Sequence, residues 1–319
     1  MMRTITHWMT GTLVLACVLA QTSEARAQQS DRPAEATSLF GEPLLRPEIE
    51  PERKARLLDD LADAQAEHER NPESEQAAIW VGRRLGYLGR FNEAVEVFTR
   101  ALTRHTHSHH LLRHRGHRYI TLRQFDRAID DLRRASMLVE GLPDEVEPDG
   151  APNPAGIPRS TIQTNIWYHL ALAHYLKGEN ERALDAWRRC LDLSKNDDMR
   201  VATLNWLILT QRRLGMHDEA RRALQDVHTD MDVIENVGYH RLLLFYKGEL
   251  ELGDLLDPEA DDSVQLSTIG YGVGAWLLAE GRRDAAMQLF GQVRETPTWP
   301  AFGYIAAEAD LHRLGGNRR

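Results

Sequence analysis

The pattern of small and aromatic residues near position 90 recurs 34 residues further along the chain. This shift superposes five landmark pairs, namely Gly82 on Gly116, Leu88 on Leu122, Phe91 on Phe125, Ala94 on Ala128 and Ala101 on Ala135. A period of this length is typical of arrays that stack one supersecondary unit per repeat. Glycine in a first helix and alanine in a second helix let two helix backbones approach closely. The spacing therefore predicts an all-α array of helix-turn-helix units.

A 34-residue unit of helix, tight turn and helix resembles the tetratricopeptide repeat, with its small residue in the first helix and its Ala-aromatic-Ala run in the second. The resemblance covers roughly residues 75–314. It implies an all-α fold, an α-α superhelical solenoid of tetratricopeptide-like helix-turn-helix repeats with helical caps. It also implies a binding module, and it names no partner.

The first 27 residues have the form of an export signal. Arg3 precedes an apolar run from Gly11 to Ala20, and Ala25-Arg26-Ala27 matches an A-x-A cleavage site. The apolar run is shorter than the roughly 20 residues that a membrane-spanning helix needs. We therefore expect a cleaved signal peptide over 1–27, a periplasmic or secreted mature chain and no transmembrane anchor. The alternative is a lipid anchor on Cys17.

Proline, glycine and the repeat spacing divide the rest of the chain. Residues 28–50 hold three prolines among polar residues and predict a flexible leader without fixed structure. The remaining boundaries are an N-terminal capping helix at 51–74, repeats 1 and 2 at 75–140, an insertion at 141–160, repeats 3 and 4 at 161–229, degenerate repeats 5 and 6 at 230–296, and a C-terminal capping helix and tail at 297–319. One solenoid, rather than two globular domains, accounts for this length.

The insertion at 141–160 contains five prolines and four acidic residues. A loop of this length inside a compact array is usually functional or disordered. Two interpretations are open at this point: a solvated excursion, and a loop that folds over the binding face.

Composition limits the class of partner. The formal net charge of −9 argues against nucleic acid, because neutralising phosphates requires a basic surface. Only four of the 39 basic residues are Lys, so the abundance of Arg does not by itself indicate anion binding. After signal cleavage Cys190 is the one remaining cysteine, which excludes a disulfide within the chain. We expect it to be a small buried hydrophobe.

In such arrays the first helices line the concave face, so ligand contacts should come from one stripe of each first helix. The candidate ligand-binding residues on this stripe are Trp80, Arg83, Tyr87, His110, Arg113, His114, His117, Tyr168, His169, Tyr175, Asn205, Trp206 and Arg212, with Arg213 and Tyr239 beside them. Aromatic and Arg side chains carry a large share of the binding energy at interfaces. The stripe therefore predicts a groove that binds a protein or peptide segment. A polar solenoid face without a ligand is the alternative.

Histidines are dense between His105 and His117. His110, His114 and His117 share one helical face, at separations of four and three residues. The outer two would lie about 10 Å apart along the axis at 1.5 Å per residue, so all three cannot bind one metal ion. A metal-binding or hydrolytic enzyme that uses this cluster is the alternative function. Because no phosphate loop, nucleophile elbow or paired-acid motif accompanies the cluster, we predict no catalytic residue, no metal and no cofactor.

Arg115 interrupts the apolar pattern, since Val81, Leu170 and Leu207 occupy the same place in other repeats. A buried Arg needs a carboxylate partner or a ligand to offset its desolvation. A structural ion pair and a ligand contact are both consistent with this substitution.

Overall fold

The computed structural model describes residues 32–255 and 263–316 of the chain. Over these residues it contains two strands and thirteen helices: β1 Ala34–Thr37, β2 Pro43–Leu45, α1 Pro51–Arg70, α2 Glu75–Tyr87, α3 Phe91–Leu102, α4 His109–Thr121, α5 Phe125–Leu138, α6 Ile162–Lys177, α7 Asn180–Leu193, α8 Asp197–Arg213, α9 His217–Ala223, α10 Val237–Lys247, α11 Ser263–Ala279, α12 Arg283–Arg294 and α13 Phe302–Gly316. The prediction of an all-α solenoid of helix hairpins is confirmed. The predicted signal peptide and Cys17 lie outside the described residues. No helix within the described ranges combines the length and apolar character needed to cross a membrane.

The first helices of repeats 1 to 4 begin at capping side chains. The capping residues are Ser74, Ser108, Thr161 and Asn196. Each side-chain oxygen accepts the N–H of the residue three positions later, at 2.9 to 3.2 Å. A Ser, Thr or Asn at this place stabilises a helix by about 1 kcal/mol relative to Ala. Because Ser74 and Ser108 also lie 34 residues apart, the repeat spacing includes the helix start.

A glycine in the first helix of a repeat lets the second helix approach closely. A Cβ atom on Gly82 would lie 2.3 Å from the ring of Phe98, and one on Gly116 would lie 2.7 Å from Leu132. The same arrangement recurs between α11 and α12 in the sixth repeat. The predicted close packing at these glycines is confirmed.

The C-terminal helices fold back over the inner face of repeats 3 and 4. Helices α10 and α11 pack against α8, and α13 packs against α6. The hydroxyl of Tyr175 lies 2.7 Å from that of Tyr271, and the hydroxyl of Tyr246 donates to Asn205 at 3.2 Å. Trp206 is fully buried among these rings. This part of the inner face therefore belongs to the hydrophobic core.

The chain between residues 32 and 50 is not a leader without fixed structure. Strands β1 and β2 form an antiparallel hairpin that packs against the C-terminal helices. The N–H of Leu39 donates to the carboxylate of Glu308 at 2.5 Å, and the indole N–H of Trp299 donates to the carbonyl of Leu45 at 2.7 Å. The prediction for this segment is wrong because its polar composition does not reveal that distant helices satisfy its backbone groups.

Candidate functional site

The insertion folds over the first helices of repeats 1 and 2. Arg83 donates to the carbonyl of Pro148 at 2.7 Å, and Arg84 donates to that of Gly150 at 3.0 Å. Gly150 permits this contact, since a Cβ atom there would lie 2.4 Å from the hydroxyl of Tyr87. Of the two interpretations left open by the sequence, the structure has the loop lying over the face where binding was predicted.

Glu147 anchors the insertion to the centre of α4. Glu147 is 5% exposed, and its Oε2 lies 3.1 Å from Nε of Arg113. This Nε has no hydrogen-bond partner, so the contact with Arg113 is an ion pair without hydrogen-bond geometry. The same oxygen accepts an N–H of Asn165 at 2.9 Å, and Oε1 lies 3.9 Å from Nε2 of His114. An acidic residue of the loop thus neutralises one of the predicted ligand-binding cations.

His114 is buried beside Arg113 as a neutral ring. Nη1 of Arg113 donates to Nδ1 of His114 at 2.9 Å, so this nitrogen carries no proton. Burial, and then the charges of Arg113 and Arg83, lower the pKa of His114 well below its ordinary value. The ring also stacks on Phe98, with centroids 5.8 Å apart. His114 therefore supports the position of Arg113 rather than presenting a free surface.

His117 and His169 meet across repeats 2 and 3. Their ring centroids are 4.3 Å apart, and the ring of Phe302 lies 5.4 Å from His117 and 5.6 Å from His169. Nδ1 of His169 donates to the carbonyl of Asn165 at 2.6 Å. Burial is the largest cause that lowers the pKa of both rings well below the ordinary histidine value. The pair is therefore uncharged at neutral pH.

An open cavity of about 680 Å³ lies beside these two rings. Its walls are α4, α6 and α8 on one side and the starts of α10, α11 and α13 on the other. The residues from the predicted stripe that line it are Arg113, His117, Tyr168, His169 and Tyr239. We call this space the central cavity. The repeat pattern did not identify its other wall, which includes Val237, Val264 and Phe302, because only the folding back of the C-terminal helices brings it there.

Three predicted residues lie outside any open groove. Tyr175, Asn205 and Trp206 are at most 1% exposed beneath α10 and α11. The predicted stripe assumed an array with an open inner face. The groove does not extend to these residues, because the chain covers that part of the face with its own C-terminal helices.

The other predicted residues are dispersed. Trp80 faces α1 in a separate shallow cavity, away from the central cavity. His110 lies 3.3 Å from the carboxylate of Glu75, and Arg212 forms an ion pair with Glu280. Arg83 and Tyr87 lie beneath the insertion.

The histidines of α4 do not converge. His110, His114 and His117 contact Glu75, Phe98 and His169 respectively. Among the residues with described positions, no group of three or more His, Cys, Asp or Glu side chains could hold a metal ion.

Arg115 and Cys190 both have structural roles. Arg115 forms a two-pronged ion pair with Asp131, with donor–acceptor distances of 2.7 and 2.8 Å. The ion-pair interpretation of Arg115 is therefore confirmed. Cys190 is completely buried, and burial raises the pKa of its thiol to about 12. The expectation of a small buried hydrophobe at this position is also confirmed.

The fold and the central cavity define a helical-repeat scaffold. Residues 164–197 match the family model described as a tetratricopeptide repeat. This match covers most of the helix hairpin of α6 and α7, and the helix pairs α2–α3 and α4–α5 have the same hairpin form. No curated protein matches the chain.

Several solved structures resemble the fold at low identity. YrrB, described as a TPR protein with an unusual peptide-binding site, is 14% identical, with 80% of this chain and 97% of that chain covered and a TM-score of 0.41. A tetratricopeptide repeat protein from Parabacteroides merdae is 14% identical over 81% of this chain and 93% of its own, with a TM-score of 0.44. BtubC from P. vanneervenii is 14% identical over 84% and 92% respectively, also with a TM-score of 0.44.

Acidification should destabilise the chain through its buried neutral histidines. The folded state holds the pKa of His169 well below the ordinary value of 6.5. Below pH 6.5 the unfolded chain therefore binds a proton that the folded chain does not. The stability contribution is complete above this pH and is lost as the pH falls. Denaturant titrations of the unsubstituted protein and of His169→Gln should differ in pH dependence by about one proton, or ~1.4 kcal/mol per pH unit.

The substitution keeps a side-chain donor for the carbonyl of Asn165, so its effect on packing should be small. His107→Gln is the matched control, because His107 is exposed. Identical pH profiles for the unsubstituted protein and His169→Gln would contradict the assignment of a neutral buried ring.

Proposed function

We propose that this protein is an exported scaffold that binds a short segment of a protein partner in the central cavity. The observation that carries this proposal is that the cavity, at about 680 Å³, stays open while the chain fills the neighbouring inner face with its own helices. Binding pockets commonly have volumes of about 300–1,000 Å³. The export part of the proposal rests on the sequence of residues 1–27.

Aromatic rings form fixed apolar parts of the walls of the central cavity. Tyr168 accepts the indole N–H of Trp206 at 2.7 Å and donates to the hydroxyl of Tyr239 at 3.4 Å. Phe302 lies against the histidine pair, with its centroid 5.6 Å from that of His169. Rings that are already held in place lose little conformational entropy when a ligand binds. This arrangement favours insertion of an apolar or aromatic side chain.

Apolar residues at the rim favour a polypeptide over a free small molecule. Val237 and Val264 line the cavity and are 40% and 51% exposed. Exposed apolar surface beside a cavity is typical of interaction sites. A peptide can place one side chain in the cavity and cover the rim with the next residues.

Selection of displayed random peptides on the full chain tests this proposal. Thr268 lines the cavity, so Thr268→Arg should fill part of it, and Phe302→Ala should remove one wall. Because anchors in a pocket dominate interface energies, each substitution should weaken binding of the selected peptides by about tenfold or more.

Met137→Arg is the matched control for Thr268→Arg. Met137 lies on α5 and is 68% exposed, so the same new side chain should leave peptide binding unchanged there. Selected peptides that bind Thr268→Arg and Phe302→Ala as tightly as the unsubstituted protein would place the binding surface elsewhere.

A further inference from the structure

A second, smaller cavity lies between α2, α4 and the insertion. Its volume is about 120 Å³, and it is lined by Gly82, Arg83, Tyr87, Phe98, Arg113, His114, His117, Arg118 and Glu147. We call it the arginine cavity. It shares Arg83, Arg113 and Glu147 with a larger open cavity beneath the insertion.

Positive charge exceeds negative charge in the arginine cavity. Three of its lining side chains are guanidinium groups, whereas Glu147 is its one lining carboxylate. His114 and His117 add no charge at neutral pH, because their pKa values are held well below the ordinary value. Glu147 forms its ion pair with Arg113, at 3.1 Å. The positive charges of Arg83 and Arg118 are therefore not balanced by any carboxylate that lines this cavity.

Arg83 and Arg118 lack carboxylate partners of their own within the described part of the chain. Arg83 donates to the carbonyl of Pro148 at 2.7 Å and to the hydroxyl of Tyr87 at 3.3 Å, both of which are neutral acceptors. The guanidinium of Arg118 lies over the ring of Phe91 at 5.5 Å. Burial, and then the charge of Arg113, lower the pKa of Arg118 to about 10. The cations therefore repel one another without full compensation.

The backbone of α2 makes room for Arg118. A Cβ atom on Gly86 would lie 2.9 Å from Nη1 of Arg118. The guanidinium is thus held against the neighbouring helix and lines the cavity rather than extending into solvent. A side chain placed in this way loses little freedom when it binds an anion.

We propose that the arginine cavity binds a doubly charged phosphate group, either as free phosphate or as a monoester carried by a larger ligand. Two uncompensated guanidinium groups match the charge of this ligand, and guanidinium forms paired hydrogen bonds to phosphate oxygens. The cavity volume of about 120 Å³ exceeds the roughly 30 Å³ share of one water molecule in the liquid, which leaves room for a five-atom group. This inference goes beyond peptide binding in the central cavity, and its test needs no peptide.

Calorimetric titration of the full chain with inorganic phosphate, at about pH 8 and constant ionic strength, tests the proposal, since phosphate groups are then doubly charged. The protein should bind one phosphate. Arg118→Gln and Arg83→Gln should each weaken binding by about tenfold or more, because each removes a charged hydrogen-bond donor. Glu147→Gln should tighten binding, since it removes the competing negative charge and keeps an acceptor for Asn165.

Arg133→Gln is the matched control, because this side chain is 69% exposed on α5 and its substitution makes the same charge change. Circular dichroism should show that all four variants remain folded. Titration with O-phosphoserine distinguishes the source: tighter binding than inorganic phosphate assigns the site to a ligand-borne phosphate, and weaker binding assigns it to the free ion. Absence of phosphate binding, equal affinity for acetate, or unchanged affinity in both Arg118→Gln and Arg83→Gln would overturn the proposal.

Discussion

Replacement of Glu308 by Ala should lower the free energy of unfolding by about 3–5 kcal/mol, because it leaves a buried guanidinium without its counter-charge. Glu308 is fully buried and Arg123 is 9% exposed, and their closest charged atoms are 2.8 Å apart. Arg123 also donates to the carbonyls of Thr121 and Trp299 at 2.7 and 2.9 Å. Glu308 accepts the N–H of Leu39 as well, so the substitution also loosens the N-terminal hairpin. Urea-induced unfolding followed by circular dichroism measures this loss.

The double variant Arg123→Gly, Glu308→Ala should be more stable than Glu308→Ala alone. It removes the uncompensated charge, and glycine fits the backbone at this position, where Arg123 has a φ of +62°. Asp218→Ala is the control, because it removes an exposed pair with Arg221 and should change stability by less than about 1 kcal/mol. If Asp218→Ala and Glu308→Ala lost similar amounts of unfolding free energy, the buried Arg123–Glu308 pair would be no more important for stability than an exposed ion pair.

Asp198→Ala should lower the free energy of unfolding by about 3 kcal/mol or more, since a buried carboxylate that accepts several backbone N–H groups is lost. Asp198 has no exposed surface. It accepts the N–H groups of Ile234, Glu235 and Asn236 at 2.7 to 3.1 Å, and it lies 3.2 Å from Nε of Arg159. Its removal leaves these donors without their acceptor. Chemical denaturation of the unsubstituted protein and of Asp198→Ala measures this difference in the free energy of unfolding.

The same substitution should weaken peptide binding, because Glu235 and Asn236 line the central cavity. Asp198→Asn should lose less stability, since its amide oxygen still accepts some of the N–H groups. Asp185→Ala, which removes an exposed carboxylate on α7, is the matched control and should leave both properties unchanged. If Asp198→Ala were as stable as the unsubstituted protein, the Asp198 carboxylate would not be what holds residues 234–236 in place.

The repeat spacing predicted the hairpins because their contacts are local. Gly82 and Phe98, or Gly116 and Leu132, lie within one unit, so each pair can be identified from one period of sequence. The same 34-residue shift places Arg123 on Gly89, and both residues have positive φ, at +62° and +71°. That substitution of an Arg for a turn glycine was a detectable sign of an unusual residue in this turn, and the sequence interpretation overlooked it.

The site was only partly predictable. His117 and His169 were placed on the binding stripe by their positions in the first helices, and they line the central cavity. Trp206 was placed on the stripe by the same rule and lies in the core. The two outcomes differ because α10 and α11 cover one part of the inner face and leave the other open, and the helical period carries no information about this.

The sequence by itself determined the all-α class, the helix hairpins and the glycines at which helices meet, because these depend on residues a few turns apart. Only the tertiary structure decided that the N-terminal hairpin docks on α13, where Leu39 and Glu308 are 269 residues apart, and that the insertion lies over α2 and α4. Periodicity specifies which face of a helix must be buried. It does not specify which distant surface buries that face, and here this choice created both the central cavity and the arginine cavity.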